Sequence, residues 1–137
     1  MRISVQTSIP APIEKVWAAY TTPADIIHWN AASDDWHTPT STVDLRVGGQ
    51  FSSRMEAKDG SFGFDFEGTY TKVLPNQLIE YEFGGRHAQV SFSAVESGQV
   101  LVTVSFDTED ENDVELQRQG WQAILDNFNR HVQGKSN

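Results

Sequence analysis

The segment after Met1, RISVQTSI, alternates apolar and polar side chains, a period of two that is typical of a strand with one buried face. Two prolines end this strand, and the second of them, Pro12, is expected in the first turn of a short helix. The apolar residues from Ile13 to Tyr20 follow helical spacing. A second short helix is predicted directly afterwards, with Thr22 as its N-cap and Pro23 at its first helical position.

Between residues 43 and 107 the pattern changes to short segments of period two, separated by turn signals rich in glycine, proline and asparagine. In each segment, every second position is apolar, and the positions between them are mostly charged or carry a hydroxyl group. This alternation predicts one antiparallel sheet with an apolar face and a solvent face. The predicted apolar face consists of Phe51, Met55, Phe62, Phe64, Phe66, Tyr70, Ile79, Tyr81, Phe83, Val90, Phe92, Val102, Val104 and Phe106.

The acidic stretch DTEDENDVELQ predicts a loop and the start of a long final helix, because negative side chains are favoured at a helix N-terminus. Asn112 or Asp113 is the expected N-cap, and the helix is expected to run to about His131. An apolar stripe marks the face that should be buried. It consists of Val114, Trp121, Leu125, Phe128 and Val132, with Ile124 beside it.

Gly120 lies inside this predicted helix, next to Trp121. A glycine there destabilises the helix by roughly 1 kcal/mol relative to alanine, so we expect a packing reason for it. The hypothesis is that a strand or a short helix comes close to the backbone at Gly120 while Trp121 reaches the opposing wall. On this hypothesis Gly120→Leu overpacks the contact and destabilises the fold by about 1–3 kcal/mol.

Together these elements predict an α+β fold in a single domain over residues 1–137. A helix is only about 10–12 Å wide, so it cannot cover a flat sheet of six to seven strands. We therefore expect the antiparallel sheet to curve around the C-terminal helix, with the two short helices closing the remaining end. A sheet curved in this way tends to leave a space beneath the helix, and aromatic walls around that space favour an apolar ligand pocket.

The chain carries 10 lysines and arginines against 19 aspartates and glutamates, which gives a net charge of −9, and it has no basic run. Nucleic acid and anionic membranes are therefore not expected as partners. Cysteine is absent, which excludes disulfides, thiolate zinc sites and cysteine nucleophiles and suits a reducing cytoplasm. With no signal peptide and no long apolar run, we expect a cytoplasmic protein that does not insert into membranes.

No nucleotide-binding, zinc-protease or serine-hydrolase motif occurs in the chain, and we predict no cofactor. The four histidines are not spaced as metal ligands, so no metal is expected.

The segment HWNAASDDWHT, residues 28–38, mixes polar groups with two tryptophans. If it folds over a cavity mouth, Asp34, Asp35 and His37 are catalytic candidates, because a carboxylate and an imidazole beside an apolar pocket suit acid–base chemistry. The favoured alternative is a surface loop anchored by its tryptophans. Arg86, at a strand start in GGRHAQV, is a candidate partner for a ligand carboxylate, although an ordinary exposed hairpin residue is the favoured interpretation.

Four segments carry a resemblance to a known family: APIEKVW, VGGQFSSRM with the later DG, FDFEGTYTKVLPNQLIEYEF and QRQGWQAILDNF. Over nearly the whole chain they resemble the activator-of-Hsp90-ATPase-homologue branch of the superfamily that includes START and Bet v 1 domains. The resemblance implies a helix-grip fold with a cavity for a small hydrophobic ligand. The aromatic and apolar residues expected to supply its lining are Trp17, Trp29, Trp36, Phe51, Met55, Phe64, Phe66, Tyr70, Tyr81, Phe83, Phe92, Phe106, Trp121, Leu125 and Phe128.

The alternative for these residues is ordinary core packing, and we expect only part of the set to line a cavity. Three functions follow from the resemblance. The first is binding of a small hydrophobic or aromatic ligand; the second is contact with a chaperone as a stress-related, co-chaperone-like protein; the third is a polyketide cyclase or aromatase activity. The sequence leaves a homodimer open and does not identify the ligand.

Overall fold

A computed structural model of the chain describes residues 1–134. The predicted α+β architecture is confirmed: one strand, two short helices, six further strands and one long helix follow each other along the chain. The helices are α1 (Ile13–Thr21), α2 (Pro23–Trp29) and α3 (Val114–Gly134). The strands are β1 (Arg2–Ile9), β2 (Trp36–Val43), β3 (Gln50–Ala57), β4 (Gly63–Leu74), β5 (Leu78–Phe83), β6 (Arg86–Val95) and β7 (Gln99–Asp107).

The seven strands form one antiparallel sheet in the order β1-β7-β6-β5-β4-β3-β2. Each strand from β2 to β7 therefore lies beside the next one along the chain, and β1 returns to pair with β7. The sheet is curved, and its concave apolar face packs against α1, α2 and α3. This is the helix-grip arrangement that the sequence predicts, because one long helix covers a sheet wider than itself only if the sheet curves.

One hydrophobic core joins the helices to the sheet. Val90, Val102 and Phe106 of the sheet and Phe128 of α3 are fully buried. The indole of Trp121 stacks on Phe106, with ring centroids 4.0 Å apart and planes 7° from parallel. The middle of α3 is thereby held against β7, on one side of the sheet's concave face.

Strand β2 lies where the sequence predicted a loop. It begins at Trp36, inside the segment 28–38, and pairs with β3, with an irregularity in register between His37 and Thr40. Pro39 stands at that irregularity, and a proline without an N–H is tolerated only at an edge strand or a bulge. The proline and the neighbouring threonines and serine are residues typical of loops, and for this reason the sequence did not predict an edge strand here.

Two further predictions about individual residues are wrong. Phe62, predicted on the apolar face, lies before β4 and is 61% exposed. At Gly120, an added Cβ would have no atom within 4 Å, so no strand or short helix approaches the backbone there. The expected overpacking by Gly120→Leu therefore has no structural basis.

The predicted domain extends to residue 137, and its last three residues lie outside those described. Within residues 1–134, no helix is both long enough and apolar enough to cross a bilayer.

Candidate ligand cavity

A cavity of about 320 Å³ lies between the concave face of the sheet and α3. Strands β3, β4 and β5 form its floor, and α3 covers it with Trp121, Ile124 and Leu125. The end of α2 closes one side through Ile26 and Trp29. Phe64 lines the cavity yet is 43% exposed, so the cavity reaches the protein surface near this ring.

The walls are mainly aromatic and aliphatic. The residues from the predicted set that line the cavity are Trp29, Phe51, Met55, Phe64, Phe66, Tyr70, Tyr81, Phe83, Trp121 and Leu125. Several of these rings contact one another: Phe51 meets Tyr81 edge to face, with centroids 5.0 Å apart, and Phe66 meets Phe83 at 5.5 Å. A wall of interlocked rings holds its shape better than isolated side chains would.

Five residues of the predicted set do not line the cavity: Trp17, Trp36, Phe92, Phe106 and Phe128. Trp17 packs edge to face on Phe92, and Phe128 packs on Trp29, all within the core beside the cavity. Phe106 is covered by the stacked Trp121 ring. Trp36 pairs with Ala57 near the edge of the sheet, outside the cavity lining, and contacts Phe62 and Phe64.

Eight lining residues were not in the predicted set. Ile79 and Val104 alternate with the other apolar residues of their strands, and Ile124 borders the apolar stripe of α3. The sequence pattern therefore predicted that these residues are buried, but not that they line a cavity. Tyr20, Ile26, Asn30, Val43 and Ser53 complete the lining. Asn30 and Ser53 are polar: Ser53 follows the same alternation as Phe51 and Met55 on β3, which places it on the inward face, whereas Asn30 belongs to the polar segment 28–38.

Three tyrosines, all the chain has, place their side chains in the cavity wall. Burial raises the pKa of Tyr20 and of Tyr81 well above the usual range, and nearby phenols add to both shifts. Burial, with a smaller contribution from the Asp44 carboxylate, raises the pKa of Tyr70 to about 12. The phenols therefore stay neutral at any ordinary pH and can donate hydrogen bonds.

Arg86 also lines the cavity. Gly84 and Gly85 connect β5 to β6 as a two-residue turn with positive φ at both positions, so Arg86 pairs directly with Phe83. Directly paired residues share a face of the sheet, and Phe83 is buried on the concave face. The guanidinium carbon lies 4.5 Å from the Phe83 ring centroid, and Nη1 donates to the carbonyl oxygen of Asp107 at 3.3 Å.

The catalytic candidates lie elsewhere. Asp34 and His37 border a separate polar groove formed by α2, β2 and the end of α3, and neither they nor Asp35 line the apolar cavity. His37 is half exposed, with its Nε2 3.8 Å from Glu56, and Asp35 is an exposed residue that accepts a hydrogen bond from Ser33. Segment 28–38 contributes only Trp29 and Asn30 to the cavity, so it does not provide an acid–base pair there.

Comparison with known proteins assigns the chain to a family. Residues 10–133 match the family described as Activator of Hsp90 ATPase homolog 1-like protein. The chain belongs to this family. The match spans α1 through almost all of α3 and so includes every wall of the cavity, and it confirms the resemblance seen in the sequence.

Solved structures of similar proteins have the same fold. The AHSA1-like protein from Aeromonas hydrophila is 47% identical, with 97% of this chain and 92% of that chain covered and a TM-score of 0.90. A protein from Cytophaga hutchinsonii is 41% identical, with 99% and 97% covered and a TM-score of 0.82. A protein from Chromobacterium violaceum, at 22% identity, 98% and 99% coverage and a TM-score of 0.84, shares the fold. None of the curated proteins matches the chain.

Proposed function

We propose that this member of the family binds a small apolar or aromatic molecule in the cavity between the sheet and α3. The observation that carries the proposal is a space of about 320 Å³ inside a wall made largely of aromatic and aliphatic side chains. Ligand pockets typically have volumes of about 300–1,000 Å³ and mostly apolar walls with a few polar groups. The cavity is at the small end of that range, which favours a compact ligand.

A neutral fluorescent probe tests this function directly. N-phenyl-1-naphthylamine brightens when it leaves water for an apolar site, and it carries no charge that could bind elsewhere on an acidic surface. We expect saturable binding with one site per chain. The absence of saturable fluorescence, together with no retained small molecule in native mass spectrometry of the purified protein, would refute the proposal.

A pair of substitutions on α3 locates the bound probe. Ile124 lines the cavity, so Ile124→Trp fills part of it and should weaken probe binding about tenfold or more, which corresponds to 1.4 kcal/mol. Leu116, on the same helix, is 58% exposed and does not line the cavity. Leu116→Trp adds an equal side chain there and should leave the affinity unchanged. Equal effects of the two substitutions would place the probe outside the cavity.

Contact with a chaperone is a second candidate function, suggested by the description of the family. A partly exposed aromatic cluster supports it: Trp36, Phe62 and Phe64 lie with neighbouring ring centroids 6.0–6.1 Å apart, and Phe62 and Phe64 are 61% and 43% exposed. Exposed clusters of large apolar side chains are common at protein interaction sites.

Surface plasmon resonance with a purified chaperone of the Hsp90 class checks this second function. Phe62→Ser should weaken binding severalfold if the aromatic cluster is the contact. Leu74→Ser, which changes another exposed apolar residue at the far end of β4, is the matched control. No binding by the unmodified protein would remove this candidate while leaving ligand binding in the cavity unaffected.

A further inference from the structure

The charges around the cavity are unusually distributed for so acidic a protein. The chain has 19 carboxylate side chains and only 10 lysines and arginines, yet no aspartate, glutamate or histidine of the described residues lines the cavity. Arg86 is the one charged side chain among the residues described there. The cavity wall therefore carries a single positive charge that is present at every physiological pH, because arginine does not lose its proton in proteins.

This arginine is not neutralised by a neighbouring acid. Within residues 1–134 it forms no ion pair with a carboxylate; it meets the Asp107 carbonyl oxygen and the Phe83 ring instead. The Asp107 carboxylate is engaged elsewhere, with Arg2 Nε at 3.4 Å and the backbone N–H of His87 at 2.9 Å. Glu82 pairs with His87 on the opposite face of the β5–β6 hairpin. Four of the five guanidinium N–H groups thus have no protein partner among the contacts described.

A second donor lies on the same face. Tyr81 precedes Phe83 by two positions on β5, so its side chain points to the same concave side as Arg86, which pairs with Phe83. The two groups are close enough for the guanidinium to lower the pKa of the Tyr81 phenol, opposing the larger effect of burial. A neutral phenol beside a guanidinium supplies hydrogen-bond donors of the kind that bind oxyanions.

From this arrangement we infer that the cavity takes an amphipathic anion, an aromatic or compact apolar molecule bearing one carboxylate, whose carboxylate is bound by Arg86 with Tyr81 beside it. The inference rests on the proposed function and deepens it by assigning the charge and the orientation of the ligand. Phe66, Phe83 and Trp121 form an aromatic wall at this end of the cavity, with Phe83 in contact with both other rings. The ring system of the ligand should pack there, next to the carboxylate site.

A series of probes with one ring system and different charges tests the inference by isothermal titration calorimetry. The probes are 2-naphthoate, neutral 2-naphthylmethanol and cationic 2-naphthylmethylamine. We expect 2-naphthoate to bind at least about tenfold more tightly than 2-naphthylmethanol, a difference of 1.4 kcal/mol, and the amine to bind most weakly. The order reflects a charge-assisted hydrogen bond that only the carboxylate can accept.

Substitutions at position 86 connect this preference to the guanidinium. Arg86→Met keeps an unbranched side chain but removes the charge, so the affinity for 2-naphthoate should fall about tenfold to that of the alcohol, while alcohol binding stays unchanged. Arg86→Lys keeps the charge without the planar fork and should give an intermediate affinity. Arg118, exposed on α3 and paired with Glu115, is the control: Arg118→Met makes the same change in net charge and should alter neither affinity.

NMR distinguishes direct binding of the carboxylate by Arg86 from a purely structural role of this residue. On addition of 2-naphthoate, but not of 2-naphthylmethanol, the Nε–H resonance of Arg86 should shift in a ¹⁵N-edited spectrum. Thermal denaturation confirms that each variant is folded, and Arg86→Lys remains as a test if Arg86→Met is not.

The outcomes separate the two proposals. If 2-naphthoate and 2-naphthylmethanol bind the unmodified protein equally, the carboxylate site is refuted and apolar ligand binding stands. The same holds if Arg86→Met and Arg118→Met reduce naphthoate binding alike, because the preference would then come from net charge. If none of the three probes binds, the carboxylate site is refuted, and the N-phenyl-1-naphthylamine titration decides separately whether apolar ligand binding stands.

Discussion

Gly68 lies inside a strand and Gly120 inside a helix, but only at Gly68 do the neighbouring atoms leave no room for a side chain. A Cβ on Gly68 in β4 would lie 2.5 Å from the carbonyl oxygen of Glu82 and 2.8 Å from the ring of Phe51. Phe51 lines the cavity, so this close approach positions part of its wall. A Cβ on Gly120 would meet no atom within 4 Å. The close backbone approach expected at the helix glycine is found instead at the strand glycine of the FEGTY segment.

Alanine at the two positions should therefore have opposite effects on stability. Gly68→Ala should lower the free energy of unfolding by about 1–3 kcal/mol, because the Phe51 ring or the β5 backbone must move. Gly120→Ala, the matched control, should raise it by up to about 1 kcal/mol, because alanine favours the helix and has room for its methyl group. Urea denaturation followed by circular dichroism measures both. A loss of stability in Gly120→Ala would contradict the open surroundings of this residue.

The β5–β6 hairpin shows how one short element positions the candidate site. Gly84 and Gly85 have φ values of 55° and 79°, and positive φ at both central positions is what a type I′ two-residue hairpin turn requires. That turn sets the register in which Phe83 faces Arg86. With a longer loop, Arg86 would shift along the strand or turn to the solvent face, since a slip of one residue reverses every side chain.

A residue with a Cβ at position 85 should weaken this hairpin. Gly85→Ala is expected to lower the free energy of unfolding by about 1–2 kcal/mol, because the left-handed conformation disfavours a Cβ. Gly84→Asn is the matched control and should be nearly neutral, since asparagine tolerates positive φ at this place in a turn. Chemical denaturation measures the difference. Equal stabilities of the two variants would show that the turn does not need the left-handed geometry.

At the scale of the whole molecule, the fold brings together three phenols that are far apart in sequence. Tyr20 comes from α1, Tyr70 from β4 and Tyr81 from β5, and all three line the same cavity. Their pKa values are raised first by burial, and Tyr20 and Tyr81 are raised further by neighbouring tyrosines. In the unfolded chain each phenol would titrate near its ordinary value of about 10.

This arrangement predicts instability in base. A folded-state pKa above the unfolded value means that the stabilisation is fully present below about pH 10 and is lost as the pH rises from about 10 toward 12, the pKa of Tyr70. Absorbance at 295 nm should show no tyrosinate in the native protein at pH 10, whereas the protein in 8 M urea should show about half of its phenols ionised. Native tyrosines that titrate near pH 10 would mean that the phenols are not buried in the cavity.

Local sequence pattern determined much of this architecture. Period-two alternation placed Tyr81 and Phe83 on the apolar face, and helical spacing placed Leu125 and Phe128 on the buried side of α3, because both periodicities follow from backbone geometry alone. The glycine pair before Arg86 marked a tight turn, but the interpretation favoured from the sequence was an ordinary exposed hairpin residue, and it is the structure that puts this arginine in the cavity wall. The chain's motifs also identified the family that the comparison confirms.

Only the tertiary structure decided which aromatic residues surround a space and which fill the core. Phe66 and Phe106 have the same alternation, yet Phe66 lines the cavity while Phe106 lies beneath Trp121. The difference depends on where α3 crosses the curved sheet, which no local pattern encodes. The same holds for the charge of the site. The sequence is strongly acidic, but curvature turns the carboxylates outward and leaves Arg86 facing inward. The reason is that the two faces of a strand meet different surroundings only once the sheet has closed around its helix.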